Sequence, residues 1–241
     1  THATLFSLLY GGASPYDGFE EALSRQAATL HPGRQGASKP TASPGRRLNA
    51  EVFATRALHE AIRAQLCHTA RFVIEVGSFK GGSAIRLWGP MVKRLREPGS
   101  PPGLVLCVDS WEGDALMRLS GDVVPLRHGF SQLGLEFLSN VKAAGLADTI
   151  FPLSMPSLTA ARLIDLFSWR VDVIYVDSAH EQGETIVELH MFYRLLRDGG
   201  VLMGDDWDLF PAVRHDVRQF ARCHNLSVTL VPPDKKIRTP S

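Results

Sequence analysis

Short apolar runs recur along this chain, and three of them stop at an acid. Phe72-Val73-Ile74-Glu75-Val76 leads into a glycine-rich turn, Leu104-Val105-Leu106-Cys107-Val108 ends on Asp109, and Ile150-Phe151-Pro152-Leu153 follows. Val171-Asp172-Val173-Ile174-Tyr175-Val176 then ends on Asp177, and Gly200-Val201-Leu202-Met203-Gly204 ends on Asp205-Asp206. Between them, apolar residues return at helical spacing: Ile85, Leu87, Trp88 and Met91 to about Leu95; Leu133, Leu135, Phe137, Leu138 and Val141; Leu158 to Phe167; Gly183 to Leu196; and Pro211 to Cys223. Buried strands alternating with helices predict an α/β domain, because parallel strands need long crossovers. The expected fold is Rossmann-like: a doubly wound, mostly parallel sheet with helices on both faces. Leu226 to Val231 reads as a sixth strand, and 110–129, with Gly, Pro and both charge signs around Trp111, as a long loop or lid.

Upstream, Val52, Phe53, Leu58, Ile62 and Leu66 recur at near-helical spacing behind Asn49 as N-cap, predicting a helix to about Cys67. The stretch from His31 to Arg47 is rich in Pro, Gly, Ser and basic residues, the composition of a connector. The organisation is therefore an N-terminal arm and connector over 1–48, one domain over 49–231 and a polar tail over 232–241. The 241 residues, 44% of them hydrophobic, suffice for one sizeable core.

Charge narrows the partners. With 26 basic and 25 acidic residues the net charge is +1, so no overall field favours nucleic acid or an anionic membrane. A small-molecule partner is expected. Cys67, Cys107 and Cys223 are widely spaced and odd in number, which suggests neither a disulfide framework nor a cysteine zinc site. Leu5 to Tyr10 lacks the basic flank and cleavage site of a signal peptide, so the expected compartment is cytoplasmic, with a start at Thr1 that is compatible with trimming. The sequence says nothing of oligomeric state.

Candidate chemistry sits where the strands end. In open α/β sheets ligands bind outside the carboxyl ends of the strands, so Asp177, Asp205 and Asp206 are expected to converge there. Three carboxylates supply hard oxygen ligands suited to Mg²⁺ or another divalent cation, since without one they would repel each other. His180, three residues after Asp177, is placed to act as general base. Taken singly, each acid also fits a strand end or helix cap. Glu75 is an acid inside an apolar run and needs a partner, for which a ligand amine is a candidate. In Gly77-Ser78-Phe79-Lys80-Gly81-Gly82-Ser83 the glycines let backbone approach a ligand and Lys80 adds charge. Asp109 is placed to accept hydrogen bonds from ribose hydroxyls. Phe79 stands where the dinucleotide fingerprint G-x-G-x-x-G has its second glycine, which argues against the rival reading of a nicotinamide-dependent oxidoreductase. A cofactor-binding protein without turnover is the other rival. Trp111 and Trp207 are either an apolar wall for the acceptor or core residues.

These residues resemble the class I S-adenosylmethionine-dependent methyltransferases. Glu75-Val76-Gly77 with Gly81-Gly82-Ser83 looks like their first motif and Asp109 like their ribose-binding acid, over roughly Asn49 to Val231. The resemblance implies S-adenosyl-L-methionine as cofactor, held by Glu75, Gly77, Ser78, Gly81, Ser83, Asp109 and Asp177, with Ser154 in the segment that lies near the adenine. Asp177, Asp205 and Asp206 match the magnesium positions of the metal-dependent O-methyltransferases, both catechol-type and macrolide-sugar. His180 stands where catechol-type members carry lysine, which favours the sugar or natural-product branch. The family also closes its sheet with a seventh, antiparallel strand, for which Pro232 to Ser241 has no pattern.

Overall fold

The computed structural model describes residues 7–17, 70–94, 103–119 and 123–230. The chain divides into two compact units, Thr1–Glu51 and Val52–Ser241. In the first, residues 7–10 are helical, and Ser14 and Asp17 close a turn in which the Asp17 carboxylate accepts from the Ser14 amide at 3.0 Å. The predicted helix from Asn49 to Cys67, the connector and the tail lie outside the described residues.

The second unit is a five-stranded sheet with helices packed around it. Its strands are β1 (Phe72–Val76), β2 (Leu104–Asp109), β5 (Ile150–Ser154), β6 (Val171–Val176) and β7 (Leu196–Gly204). They lie in the order β5-β2-β1-β6-β7, and every pairing is parallel. The helices are α1 (Gly89–Arg94), α2 (Ala115–Leu119), α3 (Leu133–Ala143), α4 (Ser157–Leu166), α5 (Glu184–Tyr193) and α6 (Pro211–Cys223). Ile74, Leu106 and Ile174 from the three inner strands are fully buried with Trp88, Phe137 and Phe192 from the helical layers. That is why the inner strands read as near-continuous apolar runs. Pro152 is compatible with β5 because β5 is an edge strand of this sheet.

The register decides where the chemistry goes. Val76 pairs with Val108 and Val176, Val108 with Leu153, and Val176 with Gly204. The next residue on each strand therefore falls on one row along the carboxyl edge: Gly77, Asp109, Ser154, Asp177 and Asp205. At the opposite edge the buried Asp172 accepts the Arg71 and Phe72 amides at 2.7 Å each and the Arg197 guanidinium, tying β1, β6 and β7 together.

Three sequence expectations are corrected. Leu226 to Leu230 forms no strand; all five residues are exposed. Alternating apolar residues make a strand only when a neighbouring edge offers hydrogen bonds, and no described strand lies beside them. Residues 110–129 are not simply a loop, since they hold α2 and the first strand of a small hairpin, β3 (Leu126–Arg127) with β4 (Phe130–Ser131). The fifth strand, predicted from Gly200, starts four residues early, at Leu196, at the expense of the helix before it.

Candidate active site

The glycine turn after β1 is built largely from backbone hydrogen bonds to one side chain. Asp109 Oδ2 accepts the amides of Ser78 at 3.0 Å and Phe79 at 2.8 Å, and its Oδ1 accepts the Trp111 amide at 2.6 Å. The carboxylate expected to meet a ribose thus also fixes the turn. Gly77 and Gly81 both take left-handed φ values, +85° and +84°. At Gly77 glycine is required twice over, because a Cβ would lie 2.0 Å from the Asp177 carbonyl oxygen. Trp111 is buried, its indole N–H donating to the Phe79 carbonyl at 2.7 Å and its ring against Phe137, so it clamps the turn from behind. Lys80 pairs with Glu136 of α3 at 2.8 Å. The turn leads into a π-helical stretch, Ala84–Trp88, a form that occurs often at functional sites.

Glu75 lies fully buried beneath this turn. Its carboxylate accepts from the Ser83 hydroxyl and contacts the Cys107 thiol at 3.5 Å. Burial pushes its pKa up to about 7, only partly offset by bonds from Ser83, Ser78 and Cys107. Burial and the nearby Glu75 charge push the Cys107 thiol up as well. Among the described residues no cationic side chain pairs with Glu75, so the turn suits a ligand with a cationic end. Ser154 is exposed at the end of β5, opposite Asp109 in register.

On the other side of β1, the structure brings together Asp177, His180 and Asp206, with one ligand atom from each within 4.8 Å of the others. His180 Nε2 lies 2.7 Å from Asp206 Oδ2, and its Nδ1 lies 3.8 Å from Asp114. The imidazole stacks on Phe210 at 4.3 Å. The hydrogen bond to Asp206 raises the His180 pKa, against partial burial and with help from the Asp206, Asp177 and Asp114 charges. Asp177 is pushed well above the carboxylate range by burial and by Asp205, Asp206 and Glu75 around it. Asp205 departs from the expected set. Its Oδ2 accepts the Tyr175 hydroxyl at 3.0 Å and its Oδ1 the Asp206 amide at 2.9 Å, so it stands outside the group of three although its charge still acts on Asp177. Asp206 itself adopts a left-handed φ of +64°, and this aims its side chain back at His180. Trp207 stacks with the Arg218 guanidinium at 5.1 Å.

Residues 74–207, more than half of the chain, match the family model described as methyltransferase domain. The chain belongs to this methyltransferase family. It is an enzyme that transfers methyl groups from S-adenosylmethionine on a class I, Rossmann-like fold. No curated protein sequence matches the methyltransferase. Among solved structures it is similar to the calicheamicin methyltransferase CalS11, with 16% identity, a TM-score of 0.53 and coverage of 91% of this chain and 90% of that one. An apo structure of CalS11, described as a TDP-rhamnose 3'-O-methyltransferase, gives 16% identity and 0.52, covering 91% and 92%. The O-methyltransferase TomG from Streptomyces achromogenes gives 18% identity and 0.49, covering 94% and 85%. The two CalS11 likenesses speak to the fold alone.

Glu75→Gln tests the electrostatics of the methyltransferase turn. A carboxyl whose folded pKa is raised from 4.5 to about 7 is protonated in the folded state and ionised in the unfolded one between those values, so stability falls as pH rises through that window. Glutamine keeps the shape and has no charge. The ligand-free variant is expected to match the wild type near pH 4.5 and exceed it by about 3 kcal/mol above pH 7. Urea unfolding at pH 5 and pH 8 measures this, and a gap that shrinks with rising pH contradicts it.

Proposed function

We propose that this methyltransferase acts on a hydroxyl of a small molecule, a sugar, polyketide or phenol, with help from a divalent cation. The observation that carries the reading is the meeting of Asp177, His180 and Asp206 beside the carboxyl edge of the sheet. The donor set suits a cation: two carboxylates that repel each other, with an imidazole beside them. Asp177 and Asp206 would hold it, and Asp205 supports Asp206 from behind. A bound cation would polarise the acceptor oxygen and lower its pKa. Two carboxylates accept Mn²⁺ as well as Mg²⁺, so either cation is expected, and the imidazole stays free to act as base.

The residues of the chain divide the remaining tasks. The Gly77 turn, Glu75 and Ser83 receive the methionine end of S-adenosylmethionine, and the neighbouring ends of β2 and β5, Asp109 and Ser154, face the nucleoside. His180, held by Asp206 and stacked on Phe210, takes the acceptor proton. Methyl transfer then needs an oxygen and a methyl carbon in line, which is chiefly a matter of positioning. CalS11 is described as a sugar methyltransferase, which supports testing nucleotide sugars and glycosides beside phenols and polyketides.

Chelation is the direct test. Treating the enzyme with a chelator is expected to abolish methyl transfer to the acceptor found in such a panel, with recovery on adding Mn²⁺ or Mg²⁺. Turnover that survives complete removal of divalent ions removes the cation from the mechanism.

A further inference from the structure

The loop that carries Asp177 and His180 has no regular structure of its own, and its position depends on α5. That helix starts weakly. Its N-cap is Gly183, at a left-handed φ of +91°, which has no side chain to satisfy the first-turn amides. The missing acceptor comes from another helix: Asp216 of α6, 1% exposed, accepts the Gly183 amide at 2.7 Å and the Ile186 amide at 3.2 Å through a single oxygen, Oδ2. A capping box uses two side chains to satisfy these two positions, N-cap and N3. Here one carboxylate serves both, and the positive end of the α5 dipole offsets its buried charge. Its other oxygen faces His215 Nδ1 at 3.1 Å.

The first turns of α5 in turn grip the loop. The Thr185 hydroxyl donates to the Ala179 carbonyl at 2.7 Å, and the buried Glu188 accepts from the Ser178 hydroxyl at 2.6 Å. Ser178 and Ala179 are the two residues between Asp177 and His180. Both are therefore held from behind, by side chains one turn apart on a helix whose start Asp216 fixes.

We propose that Asp216 is a positioning residue for the active site: by capping α5 in place of Gly183, it sets Thr185 and Glu188, and through them the spacing of Asp177 and His180. This rests on the reading of that group as the cation and acceptor side. It assigns a role to α6, which touches no reacting atom.

The test uses the full chain and three variants, Asp216→Ala, Asp216→Asn and Thr185→Val, with three readouts: amide hydrogen exchange, Mn²⁺ affinity and S-adenosylhomocysteine affinity. In Asp216→Ala and Thr185→Val, exchange of the amides of residues 178–183 is expected to rise while that of residues 78–83 stays as in the wild type. Mn²⁺ affinity is expected to fall about 10-fold, the lower end for loss of a support behind a ligand, and S-adenosylhomocysteine affinity to stay within about 3-fold. Asp216→Asn keeps an oxygen acceptor and is expected to restore both exchange and Mn²⁺ binding. Thr185→Val keeps the shape of threonine and serves if Asp216→Ala does not fold. Equal loss of Mn²⁺ and S-adenosylhomocysteine affinity marks a general weakening of the fold and overturns the proposal, as does unchanged exchange over 178–183 in a folded variant. If the wild type binds no Mn²⁺, the cation reading fails, and the exchange result alone decides the role of Asp216.

Discussion

Gly77→Ala is expected to destabilise the protein by about 4 kcal/mol or more and to abolish S-adenosylhomocysteine binding. Two causes add. A left-handed φ of +85° costs an L-residue about 1 to 2 kcal/mol, and the new Cβ would stand 2.0 Å from the carbonyl oxygen of Asp177. That oxygen belongs to backbone, so relief requires the ends of β1 and β6 to separate, although the Asp177 amide bonds the Val76 carbonyl at 2.8 Å. Gly145→Ala separates the two causes, because Gly145 also has a positive φ, +66°, but open space where its Cβ would go. It should cost only the conformational part. Urea unfolding of both variants reads the difference, and similar midpoints would mean that the contact with Asp177 does not constrain the turn.

Asp206→Asn is expected to lower kcat by about 10³-fold, within the range for losing a general base or its support, while S-adenosylhomocysteine affinity stays within about twofold. Asparagine is the right replacement because it tolerates the left-handed backbone of position 206, whereas alanine would add strain. The change removes one charge from the group at Asp177 and also the anion that holds His180 at 2.7 Å. The same substitution relieves repulsion, so the cation-free variant should melt above the wild type. Loss of activity with gain of stability is the signature of a functional site that works against the fold. A variant as active as wild type would sink the role of Asp206, and equal loss of cofactor affinity would show that the two sides of the crevice are not separable.

Much of this architecture was readable from local pattern. Five strands are legible as short apolar runs, most clearly β1, β2 and β6, which are buried nearly throughout, and their ends put Gly77, Asp109, Ser154, Asp177 and Asp205 on one edge. Which of the acids face each other was not readable. Asp205 and Asp206 are adjacent in sequence, yet the backbone turn at Asp206 sends one carboxylate to Tyr175 and the other to His180. Asp109 looked like a ligand acid and is also the anchor of the glycine turn, a role that depends on amides 30 and 31 residues away. Phe210, Thr185, Glu188 and Asp216 carried no signal, because each matters through a contact made in three dimensions by a helix whose local pattern shows only its buried face. Trp111, left open between acceptor wall and core, is settled as core by its burial and its bond to Phe79.

The close seat of Gly77 on Asp177 also governs the order in which this protein becomes competent as it is made. The segment that carries the first three strands of the described sheet, β1, β2 and β5, holds every residue expected to touch the cofactor but Asp177, and its pairings join residues 32 and 45 positions apart. The turn nevertheless rests on a carbonyl that arrives with β6, and the Arg71 to Asp172 bond that registers β1 on β6 closes 101 residues. A growing chain that stops after Ser154 thus has the cofactor residues without the floor beneath them. Binding of the methyl donor and assembly of the acceptor side should therefore appear together, in the single late step that docks β6 beside β1.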